Sequence, residues 1–396
     1  MKKLFLIVFL FNVSILMGQQ LDIGVMRSYS ISSVEFDYGN GVYDVYGDTS
    51  LITNIWSDQK IRLKRSGEKV KVVKGDRTLG YYDTVYIKQQ QPESFLKVQV
   101  VAPSVKKTKQ YADNFKVVIE KSDRLKVINE VDMPNYLAGV IESEGGGGKH
   151  LEYYKVQAIL SRTYALDHLS KHKKEGFNLC SDVHCQAYHN KLRFTPSIQQ
   201  AVNETKGIIM IDQNYQLANG FFFANCGGQT SEADFVWNNP VNYCKSVKDT
   251  FCIDSRQANW TKKIEKYKWK NYLVNQFGFP VNDSIFGPFL YYFLQDKRMA
   301  FYGVPQLGIP LRDLRVEFKL KSTWFNVHLE GESVVLEGKG FGHGVGLCQE
   351  GAMKMANLGF TAKEILNFYF TGIQLEDYYH WSFFRQRQNA VSAMDI

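Results

Sequence analysis

Glu144 is the residue whose position most clearly predicts chemistry. The segment "DMPNYLAGVIESE" (132–144) begins with Asp-Met-Pro, which is typical of a helix start, and then carries apolar residues at helical spacing. Glu144 falls seven residues after Leu137 and three after Ile141, so the helix places it on the apolar face. Glu142 falls on the opposite side, where we expect a solvated surface residue.

The predicted surroundings of Glu144 suit a general acid. Burial and the negative end of the helix dipole both disfavour a charged carboxylate, so we expect a raised pKa. A carboxylic acid that stays protonated near neutral pH is what the cleavage of a glycosidic bond requires. Four glycines follow (145–148) and leave space for a bulky polymer. The alternative is a buried glutamate in a structural ion pair.

Arg162 is a candidate partner of this carboxylate. It lies in a second predicted helix, 151–173, on one stripe with Ala158, Ala165 and Leu169, so its guanidinium should point inward. A planar guanidinium can orient a catalytic carboxylate or bind a carboxylate of the substrate. A salt bridge in the core is an equally good interpretation.

The segment "CSDVHCQAYH" (180–189) combines thiols with imidazoles. Cys180, His184 and Cys185 have the chemistry of zinc ligands, although the spacing of the two cysteines fits no standard zinc finger. A disulfide, reduced buried thiols and a Cys–His nucleophile are the alternatives. His189 ends the segment, and Gln186 and Tyr188, which lie between Cys185 and His189, could hydrogen-bond to a polar ligand.

The other cysteines suggest structural roles. Cys244 and Cys252 lie in one loop-like stretch, and we expect a disulfide between them if the protein is exported. Cys226 and Cys348 lie in apolar or glycine-rich surroundings, where a buried free thiol is the default expectation.

His343 is the candidate side chain of a glycine-dense segment, "GKGFGHGVG" (338–346). The glycines do not satisfy the dinucleotide-binding pattern, and the segment lacks the lysine of a phosphate-binding loop. Glycines at every second position instead let the backbone approach a ligand or another strand closely. His343 could therefore position a substrate hydroxyl or carboxylate, or be a structural histidine.

The elements around these residues predict an α+β fold. Short alternating β-like runs fill the N-terminal region, and "VEFDYGNGVYDVYGD" (34–48) carries a hairpin signal. A buried central helix and a mixed sheet should form the core, and a final helix carries a capping box of Thr361 and Glu364. The segment 261–277 reads as a polar helix. We divide the chain into a signal peptide (1–18), a β-rich region (21–130), a core (131–256), a variable α+β insertion (257–335) and the C-terminal part of the core (336–385).

The N-terminus predicts export, and the composition limits the class of protein. Two lysines precede an apolar run from Leu4 to Met17, which predicts a signal peptide cleaved near Gly18, with a membrane anchor as the alternative. The 396 residues have 44% hydrophobic content, which excludes collagen, coiled-coil and disordered classes. The net charge of +8 suits an anionic partner without a basic run that would indicate nucleic acid.

Several of these segments together resemble the SpoIID/LytB domain proteins of peptidoglycan remodelling. The segments are "MPNYLAGVIESE" (133–144), "KVQAILSRTYAL" (155–166), "HCQAYH" (184–189), "FFFANCGGQTSEADFVW" (221–237), "NYCKSVKD" (242–249), "LKSTWF" (320–325) and "GKGFGHGVGLCQEGAMKMANLGFTAKEILNFYF" (338–370). Family members usually follow the glutamate of the first segment with Met-Pro, whereas this chain has Gly145-Gly146.

The resemblance implies an exported lytic transglycosylase that cleaves MurNAc–GlcNAc bonds in peptide-stripped glycan strands and leaves 1,6-anhydro-MurNAc ends. It assigns the acid/base role to Glu144, and we expect substrate contacts from Arg162, Gln186, Tyr188 and His343. No cofactor is expected to be required, although zinc-binding relatives keep Cys180, His184 and Cys185 as candidate ligands.

The other branch of the family implies the alternative, a non-catalytic amidase enhancer or cell-wall-binding module. The expected partners are peptidoglycan glycan strands and a cell-wall amidase, without nucleic acid and without a membrane span after signal cleavage. The expected location is periplasmic or extracellular.

Overall fold

The computed structural model describes residues 19–120 and 124–392. The predicted signal peptide, 1–18, lies outside the described residues. The chain forms two compact units, and the division falls inside a helix, between Val140 and Ile141. The first unit also includes residues 169–193, and the second comprises 141–168 and the chain from 194 onward. The α+β class predicted from the sequence is confirmed, while the predicted segment boundaries stay a prediction.

Strands dominate the first unit. In chain order they are β1 (Gln20–Val25), β2 (Ser33–Asn40), β3 (Tyr43–Gly47), β4 (Ser50–Ile55), β5 (Lys60–Ser66), β6 (Lys69–Lys74), β7 (Arg77–Tyr82), β8 (Thr84–Gln89), β9 (Phe95–Ala102), β10 (Lys109–Ala112), β11 (Asn114–Glu120), β12 (Arg124–Asp132) and, after a long excursion of the chain, β13 (Leu179–Cys180).

These strands form two sheets with a shared apolar interior. One sheet has the order β13-β1-β12-β11-β8-β3-β4 and the other β10-β9-β2-β5-β6-β7. Buried residues alternate with half-buried or exposed ones along β9 and in the first half of β2, as expected when one face of a sheet is covered. Phe36 of one sheet and Phe115 of the other pack edge to face with ring centroids 5.0 Å apart. The first unit is therefore a two-sheet sandwich.

The hairpin predicted around Gly39-Asn40-Gly41 is wrong. Strands β2 and β3 belong to different sheets and pair with β5 and β9, and with β4 and β8, respectively. Gly41 has φ of +80°, and a Cβ there would lie 2.0 Å from Ser94 Oγ. The glycine thus lets the chain cross from one sheet to the other rather than return beside itself.

Helices and short sheets make up the rest of the chain. The helices are α1 (Met133–Gly145), α2 (Leu151–Asp167), α3 (Pro196–Glu204), α4 (Asp234–Trp237), α5 (Lys266–Phe277), α6 (Leu311–Glu317), α7 (Gln349–Asn357), α8 (Ala362–Tyr369) and α9 (Tyr378–Ser392), and the strands are β14 (Ile208–Ile211), β15 (Phe222–Phe223), β16 (Asn259–Glu265), β17 (Phe325–Glu330), β18 (Ser333–Lys339), β19 (Leu347–Cys348) and β20 (Gln374–Asp377). Helix α1 begins in the first unit and ends in the second.

Helix α2 is central to the second unit. Twelve of its residues are buried, and it contacts α3, α7, α8 and β14. It ends at Asp167, so the predicted helix to Lys173 is six residues too long. Instead, the chain turns after His168, and the side chain of Asn178 donates to the Leu169 carbonyl within the next segment.

The chain from Trp260 to Leu336 packs around a second apolar core. Strands β16, β18 and β17 form an antiparallel sheet, and Trp269 of α5 lies fully buried against it. The first part of the predicted polar helix 261–277 is strand β16, which pairs with β18 and buries Trp260 and Ile264. Within the predicted range, only the part that belongs to α5 is helical. The capping box of Thr361 and Glu364 is confirmed at the start of α8.

Candidate active site

Glu144 lies in the last turn of α1, at the edge of an open loop. Its side chain is half-buried, and the glycines at 146–148 that follow are exposed. Gly146 and Gly148 have φ of +66° and +74°, and a Cβ on either would meet nothing within 4 Å. The carboxylate therefore combines partial burial with free space on the side of the glycine loop.

Two neighbouring side chains fix this end of α1. Glu142 Oε1 accepts a hydrogen bond of 2.9 Å from the backbone N–H of Phe194, and its side chain is half-buried. Glu142 is thus a partly exposed residue, as predicted, but its carboxylate is bound to backbone rather than only to solvent. The Tyr154 hydroxyl donates to the Gly146 carbonyl at 3.1 Å and accepts from the Lys149 N–H at 2.9 Å. These bonds anchor both ends of the glycine loop.

Tyr153 borders Glu144 from helix α2. A Cβ added to Gly145 would lie 3.3 Å from Tyr153 Oη, which places this hydroxyl beside the end of α1. Burial raises the pKa of Tyr153, and the negative charge of Glu144 raises it further. The side chain of Gln349, the first residue of α7, is close to the same hydroxyl. Among the described residues, however, neither Tyr153 Oη nor Gln349 Nε2 has a hydrogen bond of normal geometry.

The same face of α2 carries further buried polar atoms. Gln157 and Ser161 follow Tyr153 at intervals of four residues, and each is 1% exposed. Within the described chain, both side-chain atoms of the Gln157 amide and Ser161 Oγ lack hydrogen-bond partners. We call Tyr153, Gln157 and Ser161 the polar stripe. The polar stripe was not predicted, although polar residues at intervals of four among apolar neighbours indicate one face of a helix.

Arg162 does not serve the predicted site. Its Nη1 donates to the Ile208 carbonyl at 2.9 Å and its Nη2 to the Val202 carbonyl at 3.4 Å. The side chain is buried, and burial lowers the pKa of Arg162 to about 10. The expected contact with Glu144 or with a substrate carboxylate is therefore corrected, because the guanidinium holds the backbone of α3 and β14 instead.

His343 is bound to backbone at both ring nitrogens. Its Nδ1 accepts from the Val345 N–H at 3.1 Å, so Nε2 carries the proton and donates to the Phe222 carbonyl at 3.1 Å. Burial lowers the pKa of His343 to about 4, so the ring is neutral. The predicted contact with substrate finds no support here, and the structural alternative fits.

Gln186 and Tyr188 lie in a buried network of the first unit. Gln186 Oε1 accepts from the Tyr136 hydroxyl at 3.1 Å, and the Tyr188 hydroxyl donates to Asn129 Oδ1 at 3.0 Å. Tyr188 is 0% exposed and its ring packs between those of Tyr111 and Tyr136. The predicted sugar contacts are thus corrected, because both side chains are committed to packing.

The first unit brings four potential metal ligands together. Ligand atoms of His172, Cys180, His184 and Cys185 all lie within 4.8 Å of one another. Cys185 Sγ is 3.4 Å from His172 Nε2, and Cys180 Sγ is 3.8 Å from His184 Nδ1. Three of these residues were singled out in the sequence. His172 was missed because it precedes Cys180 by eight residues, beyond the segment that carries the other three.

A hydrogen bond outside the ligand atoms supports this ligand set. The other ring nitrogen of His172, Nδ1, hydrogen-bonds to Glu175 Oε1 at 2.5 Å, which is the carboxylate contact that ligating histidines usually make. A hydrogen bond with Cys185 lowers the pKa of Cys180. Two sulfurs and two imidazole nitrogens form a donor set that fits Zn²⁺.

The predicted disulfide between Cys244 and Cys252 is wrong. Cys244 is a free, fully buried thiol, and burial raises its pKa to about 12. Cys252 Sγ instead lies 3.2 Å from Cys226 Sγ. The short spacing along the chain predicted the wrong partner, because the thiol beside Cys252 is that of Cys226, which comes 26 residues earlier.

Comparison with known proteins identifies the family. Residues 121–211 match the family model SpoIID, described as stage II sporulation protein. An uncharacterized protein of Brachyspira hyodysenteriae is 30% identical over 264 residues, which cover 66% of this chain and 71% of that protein. The chain belongs to the SpoIID/LytB family. The matched range includes α1 with Glu144, helix α2 and the His172, Cys180, His184 and Cys185 cluster.

Two further relatives carry descriptive names. Stage II sporulation protein D of Bacillus subtilis is 26% identical over 63% of this chain and 76% of its own length. The amidase enhancer of Bacillus subtilis is 24% identical over 61% of this chain and 40% of its own length. In the part of the chain that the structure describes, none of the helices combines the length and hydropathy needed to cross a bilayer.

Proposed function

We propose that this SpoIID/LytB protein is an exported cell-wall enzyme, a lytic transglycosylase that cleaves MurNAc–GlcNAc bonds in peptide-stripped glycan. One observation carries the proposal: the half-buried Glu144 carboxylate at the end of α1, beside the exposed glycine loop and the Tyr153 hydroxyl. The family names of the relatives support a role in cell-wall remodelling.

The proposed reaction uses one carboxyl group twice. Protonated Glu144 donates its proton to the glycosidic oxygen as the bond from MurNAc C1 to that oxygen breaks. The carboxylate then accepts the proton of the MurNAc 6-hydroxyl, whose oxygen attacks C1 and closes the 1,6-anhydro ring. Water is not consumed, so the second carboxylate of an ordinary glycosidase is unnecessary.

The surroundings of Glu144 provide what this reaction needs. The Tyr153 hydroxyl and Gln349 Nε2 are neutral polar groups that lie close together and make no hydrogen bond of normal geometry among the described residues. From this buried position the Tyr153 hydroxyl can hydrogen-bond to the neighbouring Glu144 carboxylate without adding a competing charge. The Phe194 ring is 75% exposed, and its N–H binds Glu142, so an apolar face for a sugar ring lies near the glycine loop.

A Zn²⁺ ion bound by His172, Cys180, His184 and Cys185 is part of the proposal. All four positions would be filled by protein ligands, so the ion would stabilise the fold of the first unit and supply no open site for substrate. The His172–Glu175 hydrogen bond would hold that imidazole in the orientation for ligation.

The test is mass spectrometry of peptide-free glycan strands after incubation with the purified protein. The wild type should produce anhydro-MurNAc ends, and Glu144→Gln should produce none because an amide cannot exchange the proton. Glu142→Gln is the matched control: it makes the same chemical change two residues earlier and keeps an oxygen that can accept from the Phe194 N–H. It should retain turnover.

The other outcomes are equally decisive. Turnover retained in Glu144→Gln would reject the assignment of the acid/base. Reducing ends in place of anhydro ends would indicate a hydrolase. Glycan binding without cleavage by the wild type, together with stimulation of a cell-wall amidase, would establish the amidase-enhancer alternative.

A further inference from the structure

Three distant chain segments converge on a second group of potential metal ligands. Strand β15 pairs in parallel with β19, which places Phe223 opposite Cys348 and brings Cys226, three residues later, near the same end. Asp249 and Cys252 reach this point from the loop that follows α4. We call Cys226, Asp249, Cys252 and Cys348 the three-cysteine cluster. It lies entirely in the second unit.

We propose that the three-cysteine cluster binds one Zn²⁺ ion through its three sulfurs and a carboxylate oxygen of Asp249. The four ligand atoms all lie within 4.8 Å of one another. Cys226 Sγ is 3.2 Å from Cys252 Sγ and 3.3 Å from Asp249 Oδ2. A tetrahedral zinc ion with Zn–S bonds of about 2.3 Å needs sulfurs about 3.8 Å apart, so side-chain shifts of less than about 1 Å would complete the site.

Backbone amides point at the sulfurs of this cluster. The Cys226 N–H donates to Cys348 Sγ at 3.3 Å, and the Gly351 N–H donates to the same sulfur at 3.4 Å. The Gly228 N–H donates to Cys226 Sγ at 3.4 Å. Hydrogen bonds of this kind are strong when the acceptor is a thiolate and weak when it is a neutral thiol. Such hydrogen bonds stabilise and orient sulfur atoms that are bound to a metal ion.

Outer contacts also orient Asp249. The Tyr369 hydroxyl donates to Asp249 Oδ2 at 2.8 Å, and the Phe251 N–H donates to Oδ1 at 2.9 Å. Gly351 makes room for this arrangement, since a Cβ there would lie 2.2 Å from Tyr369 Oη and 2.4 Å from Asp249 Oδ2. The carboxylate is thus held in one orientation toward the sulfurs.

The charges around the cluster would suit a bound cation. The four side chains are at most 1% exposed, and burying three thiolates and a carboxylate without a cation would be very costly. The buried Arg298 supplies one positive charge beside the cluster, where its Nη2 donates to the Cys226 carbonyl at 2.7 Å. A divalent ion at the centre would offset most of the remainder.

Four protein ligands leave no position open, so we infer a structural ion. It would tie the end of β15, the loop at 249–252 and the start of α7 together. Gln349 directly follows the ligand Cys348, so the ion would also fix the position of that amide beside Tyr153. The site depends on its own residues and does not rest on the proposed glycan cleavage.

A disulfide between Cys226 and Cys252 is the competing arrangement for these sulfurs. It would account for their separation of 3.2 Å. It would not account for the two backbone N–H groups directed at Cys348, nor for Asp249 beside Cys226. The observations therefore favour the metal ion.

The experiment measures zinc per chain by inductively coupled plasma mass spectrometry of the full-length protein. The double substitution Cys180→Ser and Cys185→Ser first removes the ligand set of the first unit, and this background should retain one zinc per chain. Adding Cys226→Ser and Cys348→Ser should reduce the zinc content to zero. Adding Cys244→Ser instead should leave one zinc, because that buried cysteine belongs to neither cluster.

Cobalt substitution keeps the test informative if the quadruple variant fails to fold. The folded Cys180→Ser, Cys185→Ser background reconstituted with Co²⁺ should show thiolate-to-cobalt charge-transfer absorption in the near ultraviolet and the visible bands of tetrahedral Co²⁺. A folded background protein that binds neither Zn²⁺ nor Co²⁺ would overturn the proposal. A peptide linking Cys226 to Cys252 in the non-reduced digest of the native protein would also overturn it.

Discussion

Replacing Tyr153 with Phe should make the protein more stable while lowering its activity. The substitution removes one oxygen from a side chain that is 0% exposed. That oxygen has no hydrogen-bond partner of normal geometry within the described residues. A buried polar group left unpaired costs about 1–3 kcal/mol. The nearby Gln349 amide reduces this cost, so we expect the free energy of unfolding to rise by about 1 kcal/mol.

The neighbouring Tyr154→Phe variant is the matched control, since it makes the same chemical change one residue later. The Tyr154 hydroxyl makes two hydrogen bonds to the glycine loop, with the Gly146 carbonyl and the Lys149 N–H. Each such bond contributes about 0.5–1.5 kcal/mol, so this variant should lose about 1–3 kcal/mol of stability. The two substitutions are therefore expected to change stability in opposite directions.

Activity provides the second readout for Tyr153. The hydroxyl is beside Glu144 and is unpaired among the described residues of the resting protein, and a hydrogen bond that it forms once Glu144 has given up its proton would contribute about 1.5–3 kcal/mol. Because 1.4 kcal/mol corresponds to a factor of ten in rate, we expect kcat for glycan cleavage to fall at least about tenfold in Tyr153→Phe. A smaller decrease would remove the hydroxyl from the proposed mechanism.

Urea denaturation followed by circular dichroism measures the stability difference, and anhydro-MurNAc formation measures the rate. The reasoning about the unpaired hydroxyl fails if Tyr153→Phe destabilises the protein as much as Tyr154→Phe does. That result would mean that Tyr153 makes a normal hydrogen bond in solution, with Gln349 as the nearest candidate.

Two further predictions concern the glycine-dense segment. Burial lowers the pKa of His343 from 6.5 to about 4, so between these values the unfolded chain binds a proton that the folded protein excludes, and stability falls as the pH decreases, by about 1.4 kcal/mol per unit. The loss of stability should begin below pH 6.5, and His343→Gln should lack the part of it that His343 causes. Urea titrations at several pH values measure the free energy of unfolding of both proteins. If it depends on pH equally in both, His343 is not the group responsible. Gly346→Ala would place a Cβ 2.3 Å from the Phe221 carbonyl and should cost at least about 3 kcal/mol, whereas Gly359→Ala, also at positive φ but with nothing within 4 Å, should cost about 1–2 kcal/mol. Similar losses in urea denaturation would show that backbone strain, and not the close approach, decides both positions.

Local patterns predicted the elements whose signals lie within one turn or one strand. The capping box at Thr361 and the helix that places Glu144 near its end were both readable from spacing of three and four residues. The hairpin at Gly41 failed because the turn signal cannot specify which strands pair across it. The strand at 259–265 was missed for a similar reason: its pairing with β18 decided the conformation of a segment with few apolar residues.

Sequence patterns indicated the direction of two site side chains but not their partners. Arg162 and His343 were expected to face a ligand, but both donate to backbone carbonyls that lie far away in sequence. The position of a residue on a helical face or in a glycine-rich segment can indicate that its side chain points inward. Whether the group then meets a ligand or a backbone carbonyl depends on what packs against it, which spacing does not reveal.

The sequence by itself determined the family, the α+β class and the position of Glu144 at the end of a helix, because these depend on local periodicity and on contiguous motifs. Only the tertiary structure decided that His172 joins the cysteines at 180 and 185, and that Cys226, Asp249, Cys252 and Cys348 meet. The physical reason is that ligand sets depend on distances between atoms of a few ångströms. Strand pairing and helix packing create those distances between residues up to 122 positions apart, as between Cys226 and Cys348.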